Sequence, residues 1–296
     1  MPKQVLVCIN PVAGRGTSKK VLNDLLRYAD LASIDFLVIE SSKNPSILAN
    51  LMSKVNLARC SAVIAIGGDG IVNQVLQAIA GKSIALYVIP TGTGNDFARS
   101  SQLLTLQPSK IFRTIFEEES DLIDLGKITH GAHQRFFGQI LSTGFDALVN
   151  ERANLNRFVS GKMKYNIATA LELPSFKPIH YKIELDGKSR EFHAMLFAVA
   201  NGSSYGGGMQ LVPHADRRDG VFDLMILHPV SKVELIKVFP KVFSGRHVNH
   251  PAVEFIKAKN VKILAKSVAY ADGERISELP INVEIVPKAL KTWISK

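Results

Sequence analysis

The sequence has few cysteines and no long hydrophobic run, and both absences narrow the kind of protein it can be. Only two of the 296 residues are cysteine, Cys8 and Cys60, and each lies in or beside an apolar run typical of a buried strand. A disulfide or metal framework is therefore not expected. The expected setting of the protein is reducing and cytoplasmic. No apolar stretch approaches the roughly 18 residues that span a bilayer. Any contact with a membrane is expected to be peripheral.

The motifs of several common enzyme classes are also missing. No glycine-rich loop closes with Gly-Lys-Ser or Gly-Lys-Thr, so there is no Walker A motif, and no complete Gly-x-Gly-x-x-Gly fingerprint occurs. The eight histidines show no metal-ligand spacing, and there is no Gly-x-Ser-x-Gly elbow. P-loop and Rossmann dehydrogenase interpretations lose support, and zinc enzymes and serine hydrolases have none.

Length and composition indicate a globular protein of two domains. The chain of 296 residues exceeds the usual domain length of roughly 100–200 residues. It is 46% hydrophobic and 21% charged, with 21 Gly and 13 Pro, which is the ordinary globular range. Lys and Arg outnumber Asp and Glu by 36 to 26, giving a formal net charge of +10. This charge favours an anionic partner, whether a nucleotide, a nucleic acid or an anionic membrane surface, without choosing among them.

The first part of the chain alternates strand and helix patterns. β-Branched runs predict strands at Val5–Ile9, Phe36–Ile39, Ala62–Ile66 and Ile84–Ile89. Apolar periodicity predicts helices near Lys19–Ala29, Ser46–Ala58 and Ile71–Ala80, and Thr17 and Ser18 are candidate caps of the first. This order is typical of an open, mostly parallel sheet covered on both faces. The predicted fold class is α/β, with a nucleotide-binding domain over residues 1–125.

After residue 125 strand patterns outnumber helix patterns. The predicted strands are Phe136–Leu141, Tyr181–Leu185, Phe192–Ala200, Val221–Leu227 and Ile281–Val286. Helices are predicted near Met163–Leu171 and Lys232–Phe243, with an end or kink at Pro240. We therefore expect a second, mainly antiparallel β domain over residues 126–287, while residues 288–296 are candidates to complete the first domain.

Three glycine-rich loops follow predicted strands of the first domain. Their sequences are Asn10-Pro11-Val-Ala-Gly14-Arg15-Gly16, Gly67-Gly68-Asp69-Gly70-Ile71-Val-Asn73 and Pro90-Thr-Gly-Thr93-Gly-Asn95-Asp96. Glycine lets backbone N–H groups approach a phosphate, a helix N-terminus adds positive potential, and Arg15 offers a bidentate partner. The Asp69 carboxylate can orient Mg²⁺ or its water shell. A single loop of this kind is an ordinary strand-to-helix turn about as often as it is a phosphate-binding loop. Three such loops at strand ends indicate a nucleotide site.

These loops resemble the nucleotide-loop motifs of the diacylglycerol kinase catalytic family, which also includes sphingosine, ceramide and bacterial lipid kinases. The match continues in Asn201-Gly-Ser-Ser-Tyr-Gly-Gly-Gly208, Pro213-x-Ala215-x-x-x-Asp219-Gly220 and Asp272-Gly273-Glu274. Ile71 departs from the family pattern, which usually has Thr there, so one hydroxyl contact to phosphate is in doubt. The resemblance implies a fold of NAD kinase/diacylglycerol kinase type and an ATP-dependent lipid kinase acting on diacylglycerol or a related glycerolipid.

The resemblance also implies where each reacting group binds. An ATP site is expected between the two domains, near Asn10, Pro11, Gly14, Arg15, Gly67, Gly68, Asp69, Gly70, Asn73, Thr93 and Asn95, with Ser41 or Ser42 at its edge. Glu274 is the expected base for the lipid hydroxyl, and Asp272 is expected to support the metal or the geometry. A structural Mg²⁺ is expected on the Asp219 carboxylate, with backbone carbonyls of Asp216 and Val221. Without the resemblance, these Asp-Gly pairs would be interpreted as plain turns.

Three other interpretations stay open at this point. NAD kinases share the Gly-Gly-Asp-Gly motif, although Asn150-Glu151, which could match their Asn-Glu motif, lies in a helical pattern here. A non-catalytic nucleotide or lipid sensor would not need Asp69, Asp219, Asp272 and Glu274 together. Nucleic-acid binding would use the positive charge, but no recognised nucleic-acid module is present, so no nucleic-acid partner is expected.

Two basic and aromatic clusters are candidate contacts with anionic lipid. One covers residues 157–165, and the other combines Lys232, Lys237, Lys241 and Arg246 with Val238, Phe239, Val242 and Phe243. A packed helix with a solvated cationic side explains the second cluster at least as well. The expected partner is a lipid substrate at the inner face of a membrane. The sequence leaves open which lipid is used and the oligomeric state, for which a homodimer is one candidate.

Overall fold

The computed structural model describes residues 4–41, 45–155 and 162–294, and the chain divides into two compact units. Unit 1 comprises residues 1–125 and 287–296, and unit 2 comprises residues 126–286. The domain boundaries predicted from the sequence lay after residue 125 and after residue 287. Over the described ranges, no helix is both long enough and apolar enough to cross a membrane.

Unit 1 alternates strands with helices. Its strands are β1 (Gln4–Ile9), β2 (Asp35–Glu40), β3 (Cys60–Gly67), β4 (Ala85–Pro90) and the start of β5 (Asp121–His130). Its helices are α1 (Thr17–Leu31), α2 (Pro45–Ser53), α3 (Asp69–Ile79), α4 (Asp96–Ser100) and α5 (Pro108–Glu117). The strands pair in parallel in the order β2-β1-β3-β4. The end of the last strand, β16 (Ile281–Thr292), pairs in parallel with β4.

Burial and connectivity explain where this sheet can bind a ligand. The central strands β1, β3 and β4 are almost wholly buried, as expected for β-branched runs in a parallel sheet. Helix α1 buries Val21, Leu25 and Ala29 against one face, beside α5. The chain passes from β1 to β2 on one side and then crosses to β3 on the other side. Open α/β sheets bind ligands at the carboxyl ends of strands at such a reversal.

Over its described residues, unit 2 contains two sets of antiparallel strands, which belong to different sheets, and three α-helices. Its further strands are β6 (His133–Phe137), β7 (Ile140–Gly144), β8 (Ile179–Leu185), β9 (Lys188–Ala194), β10 (Leu196–Ala200), β11 (Phe222–Leu227), β12 (Val253–Ala258), β13 (Asn260–Ala265), β14 (Val268–Ala271) and β15 (Glu274–Glu278). Its helices are α6 (Phe145–Leu155), α7 (Lys162–Glu172) and α8 (Lys232–Val238). One sheet has the order β12-β11-β10-β7-β14-β15, and β16-β13-β8-β9 pair in the other.

Two apolar layers stabilise unit 2. The first lies between the sheets and includes the fully buried rings of Phe137, Tyr181, Phe197 and Phe222. The second lies on the other face of the six-stranded sheet, where side chains of α6, α7 and α8 pack. The predicted class, α/β with an open parallel sheet followed by a mainly antiparallel domain, is confirmed.

Two predicted strands were wrong because each is a pair of strands. The run Phe136–Leu141 contains the end of β6 and the start of β7, separated at Gly138-Gln139. The run Phe192–Ala200 contains the end of β9 and all of β10, separated at Met195. At Met195 the chain passes from one sheet to the other. The run of residues does not show such a crossing, because the sheet that each strand joins is decided by pairing partners elsewhere in the chain.

Two predicted helices were too long. The second helix was predicted to Ala58, but α2 ends at Ser53, and the Asn56 side chain accepts the backbone N–H of Ala58 at 3.2 Å to begin a 3₁₀ turn. The helix predicted over Lys232–Phe243 is α-helical only to Val238 and continues as a 3₁₀ turn over Phe239–Ser244. Pro240 has no N–H to donate to an α-helical carbonyl. Helices α4 and α5 were not predicted, and of α6 only a helical pattern around Asn150-Glu151 was noted.

An ion cluster joins the two sheets of unit 2 at β9 and β12. The Arg190 guanidinium donates to both oxygens of Glu254, at 2.6 and 2.8 Å, and His228 Nε2 lies 2.7 Å from the second oxygen. The hydrogen bonds from Arg190 lower the pKa of Glu254 from its ordinary 4.5 to about 2, and His228 adds to the effect.

Glu254→Gln is expected to destabilise the protein at neutral pH but not in strong acid. Because the folded-state pKa of Glu254 lies below its ordinary value, its stabilisation is complete above pH 4.5 and is lost as the pH falls through about 2. The difference in Tm between wild type and variant should therefore shrink across that window. Glu191→Gln, at an exposed carboxylate of β9, is the control. A difference that stays constant with pH would contradict this account.

Candidate active site

The first and third glycine-rich loops are in direct contact. Gly14, Arg15 and Gly16 all have positive φ, at 61°, 53° and 98°. A Cβ on Gly14 would lie only 2.4 Å from the carbonyl oxygen of Thr91. The buried hydroxyls of Ser18 and Thr91 are 2.7 Å apart and hydrogen-bond. Position 14 therefore accepts only glycine without moving the loop that follows β4.

The second and third loops approach each other even more closely. A Cβ on Gly92 would lie 2.4 Å from the Cα of Gly68. The backbone N–H groups of Thr91 and Gly92 both donate to the carbonyl of Gly67, at 2.9 and 3.2 Å. Parallel strands end at the same edge of the sheet, so the three loops form one continuous backbone surface in unit 1.

The Asp69 carboxylate holds the third loop in place. It accepts the backbone N–H of Phe97 at 3.3 Å and also those of Asn95 and Asp96, at the start of α4. Burial raises the pKa of Asp69 above its ordinary value and Asp96 adds to the rise, while the three N–H groups oppose it. Asp69 therefore has a structural role in this structure, which the sequence did not suggest. Its predicted role toward Mg²⁺ stays a prediction.

The other residues predicted near the nucleotide differ in exposure. Gly14, Arg15, Gly70 and Thr93 are exposed, whereas Asn10, Pro11, Ser41, Gly68 and Asn95 are half-buried, and Gly67 and Asn73 are buried. The side-chain amides of Asn10 and Asn95 form hydrogen bonds within the loops that contain them. Asn10 Oδ1 accepts the N–H of Val12 at 3.2 Å, and Asn95 exchanges two hydrogen bonds with the backbone of Gly92. Ser42 lies outside the described residues.

Sequence reasoning misassigned one pair of residues and missed another. Thr17 and Ser18 do not cap α1, because their hydroxyls donate to the carbonyls of Gly14 and Ala13 within the first loop. Gly16 is the residue at the N-cap position. Thr91 and Arg99 were not predicted, although Thr91 bonds to Ser18 and Arg99 donates to the carbonyl of Gly94 at 3.0 Å. Only the position of Thr91 beside Gly92 could have suggested its role.

In unit 2 the predicted catalytic turn joins β14 to β15. Asp272 and Gly273 have φ of 50° and 83°, as in the two-residue hairpin turns that match strand twist. The Asp272 carboxylate accepts three backbone N–H groups, from Gly138 at 2.7 Å, Gln139 at 2.9 Å and Ile140 at 3.3 Å. Asp272 thus anchors the turn to the segment between β6 and β7. Glu274, two residues later, is exposed to solvent.

The other motifs of unit 2 meet at this same segment. The Asn201 amide donates to the carbonyl of Gly138 at 2.9 Å, and the N–H groups of Asn201 and Gly202 donate to the carbonyl of Gln139. Arg217 is buried, which lowers its pKa to about 10, while Asp216 and Asp272 act in the opposite direction. Sequence reasoning passed over Arg217, which lies inside the Pro213–Gly220 motif.

The residues predicted to hold a structural Mg²⁺ already bond within the protein. Asp219 accepts the Lys257 ammonium at 2.8 Å on one oxygen and the N–H of Val221 at 3.2 Å on the other. The Asp216 carbonyl accepts the N–H of Asp219 at 3.4 Å, and its carboxylate pairs with Arg218. Among residues 4–41, 45–155 and 162–294, no cluster of three His, Cys, Asp or Glu side chains could hold a metal. In this arrangement Lys257 supplies the positive charge beside Asp219, and the predicted role of Asp216, Asp219 and Val221 toward Mg²⁺ stays a prediction.

Comparison with known proteins agrees with this arrangement. Residues 4–128 match the model of the diacylglycerol kinase catalytic domain, and residues 139–294 match that of the YegS C-terminal NAD kinase beta sandwich-like domain. A diacylglycerol kinase of Mycobacterium tuberculosis is 34% identical over 291 residues, covering 97% of this chain and 94% of the relative. The chain belongs to the diacylglycerol kinase family. It is therefore a lipid kinase, a phosphotransferase with an alcohol group as acceptor.

Further relatives support the same family. A diacylglycerol kinase of Bacillus subtilis is 30% identical over 287 residues, covering 94% of this chain and 92% of the relative. A crystal structure of a diacylglycerol kinase from Bacillus anthracis superposes with a TM-score of 0.68 at 20% identity, covering 99% of this chain and 97% of that one, which shows the shared fold. The predicted family and enzyme class are confirmed.

The departure from the family pattern at Ile71 has a structural setting. Ile71 is buried in the first turn of α3, and a Cβ on Gly67 would meet its Cγ2 at 2.5 Å. The Ile71 side chain packs its hydrocarbon against Gly67 of the second loop, at a position where the family usually has the hydroxyl of Thr.

Proposed function

We propose that this chain transfers the γ-phosphoryl group of ATP to the hydroxyl of diacylglycerol or of a related glycerolipid. The observation that carries the proposal is the hairpin turn of unit 2. Three backbone hydrogen bonds fix Asp272, while Glu274 at the start of β15 is exposed to solvent. Such a turn holds the backbone at Glu274 in place and leaves its carboxylate open to a hydroxyl that arrives from outside.

The joined loops of unit 1 support binding of the triphosphate. The N-termini of α1 and α3 lie in the first and second loops, and each carries a partial positive charge. The first turn of α1 contains no acidic residue that would repel phosphate. Exposed Arg15 adds a cation to the first loop. When ATP binds as its magnesium complex, the cation would neutralise further phosphate charge.

In the proposed reaction Glu274 accepts the proton of the lipid hydroxyl. The hydroxyl oxygen forms a bond to the γ-phosphorus as the bond from that phosphorus to the bridging β–γ oxygen breaks, and ADP leaves. Asp272 acts by fixing the turn and is a positioning residue. Most of the rate in phosphoryl transfer comes from alignment and charge neutralisation, to which a positioned base adds about 10²–10⁴.

A small apolar cavity lies in unit 2. It lies between the six-stranded sheet and the segment containing α8, and it is lined by Phe145, Leu196, Met209, Met225, Leu235 and Val242 among others. Its volume is about 30 Å³, roughly that of one water in the liquid. Hydrocarbon walls suit an acyl chain, which would need more room than this structure provides.

Phosphoryl transfer from labelled ATP with Mg²⁺ to a panel of acceptors tests the proposal. The panel contains diacylglycerol, phosphatidylglycerol, sphingosine, ceramide and NAD. Labelling of diacylglycerol or phosphatidylglycerol is the expected result. Labelling of NAD alone would replace the proposal with an NAD kinase, labelling of sphingosine or ceramide alone would move it to a sphingoid lipid, and ATP binding without labelling would favour a sensor.

Gly14→Ala is expected to weaken ATP binding by about tenfold or more, because the new Cβ would push the Thr91 carbonyl and the third loop away. Gly16→Ala is the matched control. Both residues have positive φ, so both variants carry backbone strain, but a Cβ on Gly16 meets nothing within 4 Å. Calorimetric titration with a non-hydrolysable ATP analogue compares the two. Equal affinity losses would show that strain, and not the contact with Thr91, decides the effect.

A further inference from the structure

A short segment of unit 2 has an unusual combination of charge and exposed hydrocarbon. This segment, residues 231–246, is called the α8 segment and contains α8 and the 3₁₀ turn that follows it. It carries four cations, Lys232, Lys237, Lys241 and Arg246, and a single carboxylate, Glu234. Glu234 is engaged by His250, whose Nε2 lies 3.1 Å from its Oε1. The outer surface of the segment is therefore strongly cationic.

The inner face of the α8 segment is an ordinary core face. Leu235, Val238 and Val242 are buried and join the apolar layer on the six-stranded sheet. Lys232 donates to the carbonyl of Pro174, which ties the start of the segment to the chain after α7. The packed-helix interpretation of this cluster therefore holds for one face.

The outer face carries large apolar side chains that a packed surface helix would not need. Val233 is 62% exposed, Ile236 is 58% exposed and Phe243 is 46% exposed. They alternate with the exposed residues Lys237, Pro240 and Lys241. Because Val233, Ile236 and Lys237 are spaced three and four residues apart within α8, they share one side of the helix. Hydrocarbon interspersed with cations is the pattern of surfaces that rest in the headgroup region of anionic membranes.

We infer that the outer face of the α8 segment docks on an anionic lipid bilayer. The charge complements anionic headgroups, and the exposed side chains reach the hydrocarbon boundary below them. The inner face of the same segment forms a wall of the apolar cavity, through Leu235, Val238 and Val242. Docking here brings membrane hydrocarbon to the outer side of that wall. The inference rests on the proposed function for the lipid substrate, and it adds where the membrane is contacted. The other basic cluster, residues 157–165, lies outside the described side chains.

Co-sedimentation with vesicles tests the inference. Vesicles of phosphatidylcholine with phosphatidylglycerol are compared with pure phosphatidylcholine, and wild type should bind the former in a salt-sensitive manner. Lys237→Glu/Lys241→Glu and, separately, Ile236→Asp/Phe243→Asp should each weaken binding by about tenfold or more. Lys54→Glu/Lys82→Glu makes the same charge change at exposed lysines of unit 1 and should bind as wild type. If this control loses vesicle binding equally, the effect is due to the net charge of the protein and the inference is wrong.

Two further measurements separate this inference from the proposed function and from nucleic-acid binding. Phosphorylation of a short-chain, water-soluble diacylglycerol needs no membrane, so the α8-segment variants should keep wild-type rates there while losing rate on vesicles. Binding that depends on the α8 segment supports the inference even if no acceptor is phosphorylated. If the same variants lose affinity for RNA or DNA but still bind anionic vesicles as wild type does, the surface serves a nucleic acid and the inference is wrong.

Discussion

Glu274→Gln is expected to slow phosphoryl transfer by about 10²–10⁴, the range that a positioned general base contributes. The amide keeps the shape of the side chain but cannot accept a proton from the lipid hydroxyl. ATP affinity and Tm should be unchanged, because Glu274 is exposed and ATP is proposed to bind the loops of unit 1. Single-turnover rates with diacylglycerol, together with calorimetric ATP titration, separate the chemical step from binding.

The matched control for this variant lies on the same strand. Glu278→Gln changes another exposed carboxylate of β15, at the opposite end from the turn, and should leave the rate as in wild type. A Glu274→Gln enzyme with full activity would remove this residue as the base and leave positioning by the turn as its contribution. Equal losses of rate in both variants would show that the net charge of β15, and not a role of Glu274 as base, decides the rate.

Asp272→Asn is expected to lower the free energy of unfolding by about 2–4 kcal/mol and to abolish most activity. The variant loses the charge that strengthens three hydrogen bonds to Gly138, Gln139 and Ile140. It also removes a negative charge that acts on buried Arg217. Urea unfolding with and without Mg²⁺ measures the effect. Because the role is an anchor within the protein, the stability loss should be the same in both conditions.

A second Asp-Gly turn of the chain supplies the control for Asp272. Asp186, before Gly187 in the turn from β8 to β9, also has a positive φ, 47°, and accepts the N–H groups of Lys259 and Asn260. It is exposed to solvent, so water can replace lost bonds, and Asp186→Asn should cost little stability and no activity. If Asp272→Asn behaves like Asp186→Asn, the anchor account is wrong. A stability loss found only with Mg²⁺ would instead support the metal role.

Local chemistry explains why so much of unit 1 could be predicted. The strands of a parallel sheet are buried on both faces, so Val5–Ile9 and Ala62–Ile66 are short apolar runs rich in β-branched residues, which favour strands. The loops after them are rich in glycine because backbone approaches backbone there, as the Gly68–Gly92 contact shows. That same crowding made the loops recognisable as nucleotide motifs. The roles of Asp69 and Thr91 could not be predicted, because their partners lie 28 and 73 residues away in sequence.

Unit 2 shows where sequence patterns stop being informative. Gly138-Gln139 and Met195 interrupt runs that look like single strands, because strand pairing partners are chosen by the whole sandwich and not by the run itself. The Asp-Gly pairs at 186, 219 and 272 are alike in sequence, yet only Asp272 binds the segment between β6 and β7. The family motif singled out Asp272-Gly273-Glu274. Its anchoring network and buried Arg217 came only from the structure.

The sequence by itself determined the fold class, the family and the loops and turns that are candidates for chemistry, because glycine spacing, buried strands and paired carboxylates are properties of neighbouring residues. The tertiary structure alone decided which of those residues act through others. The Asp69 carboxylate accepts hydrogen bonds from the start of α4, and the Asp219 carboxylate accepts one from Lys257. The Asp272 carboxylate accepts three backbone N–H groups, whereas Glu274 is exposed. The physical reason is that a carboxylate's role is set by the donors packed around it, and here those donors come from distant parts of the chain.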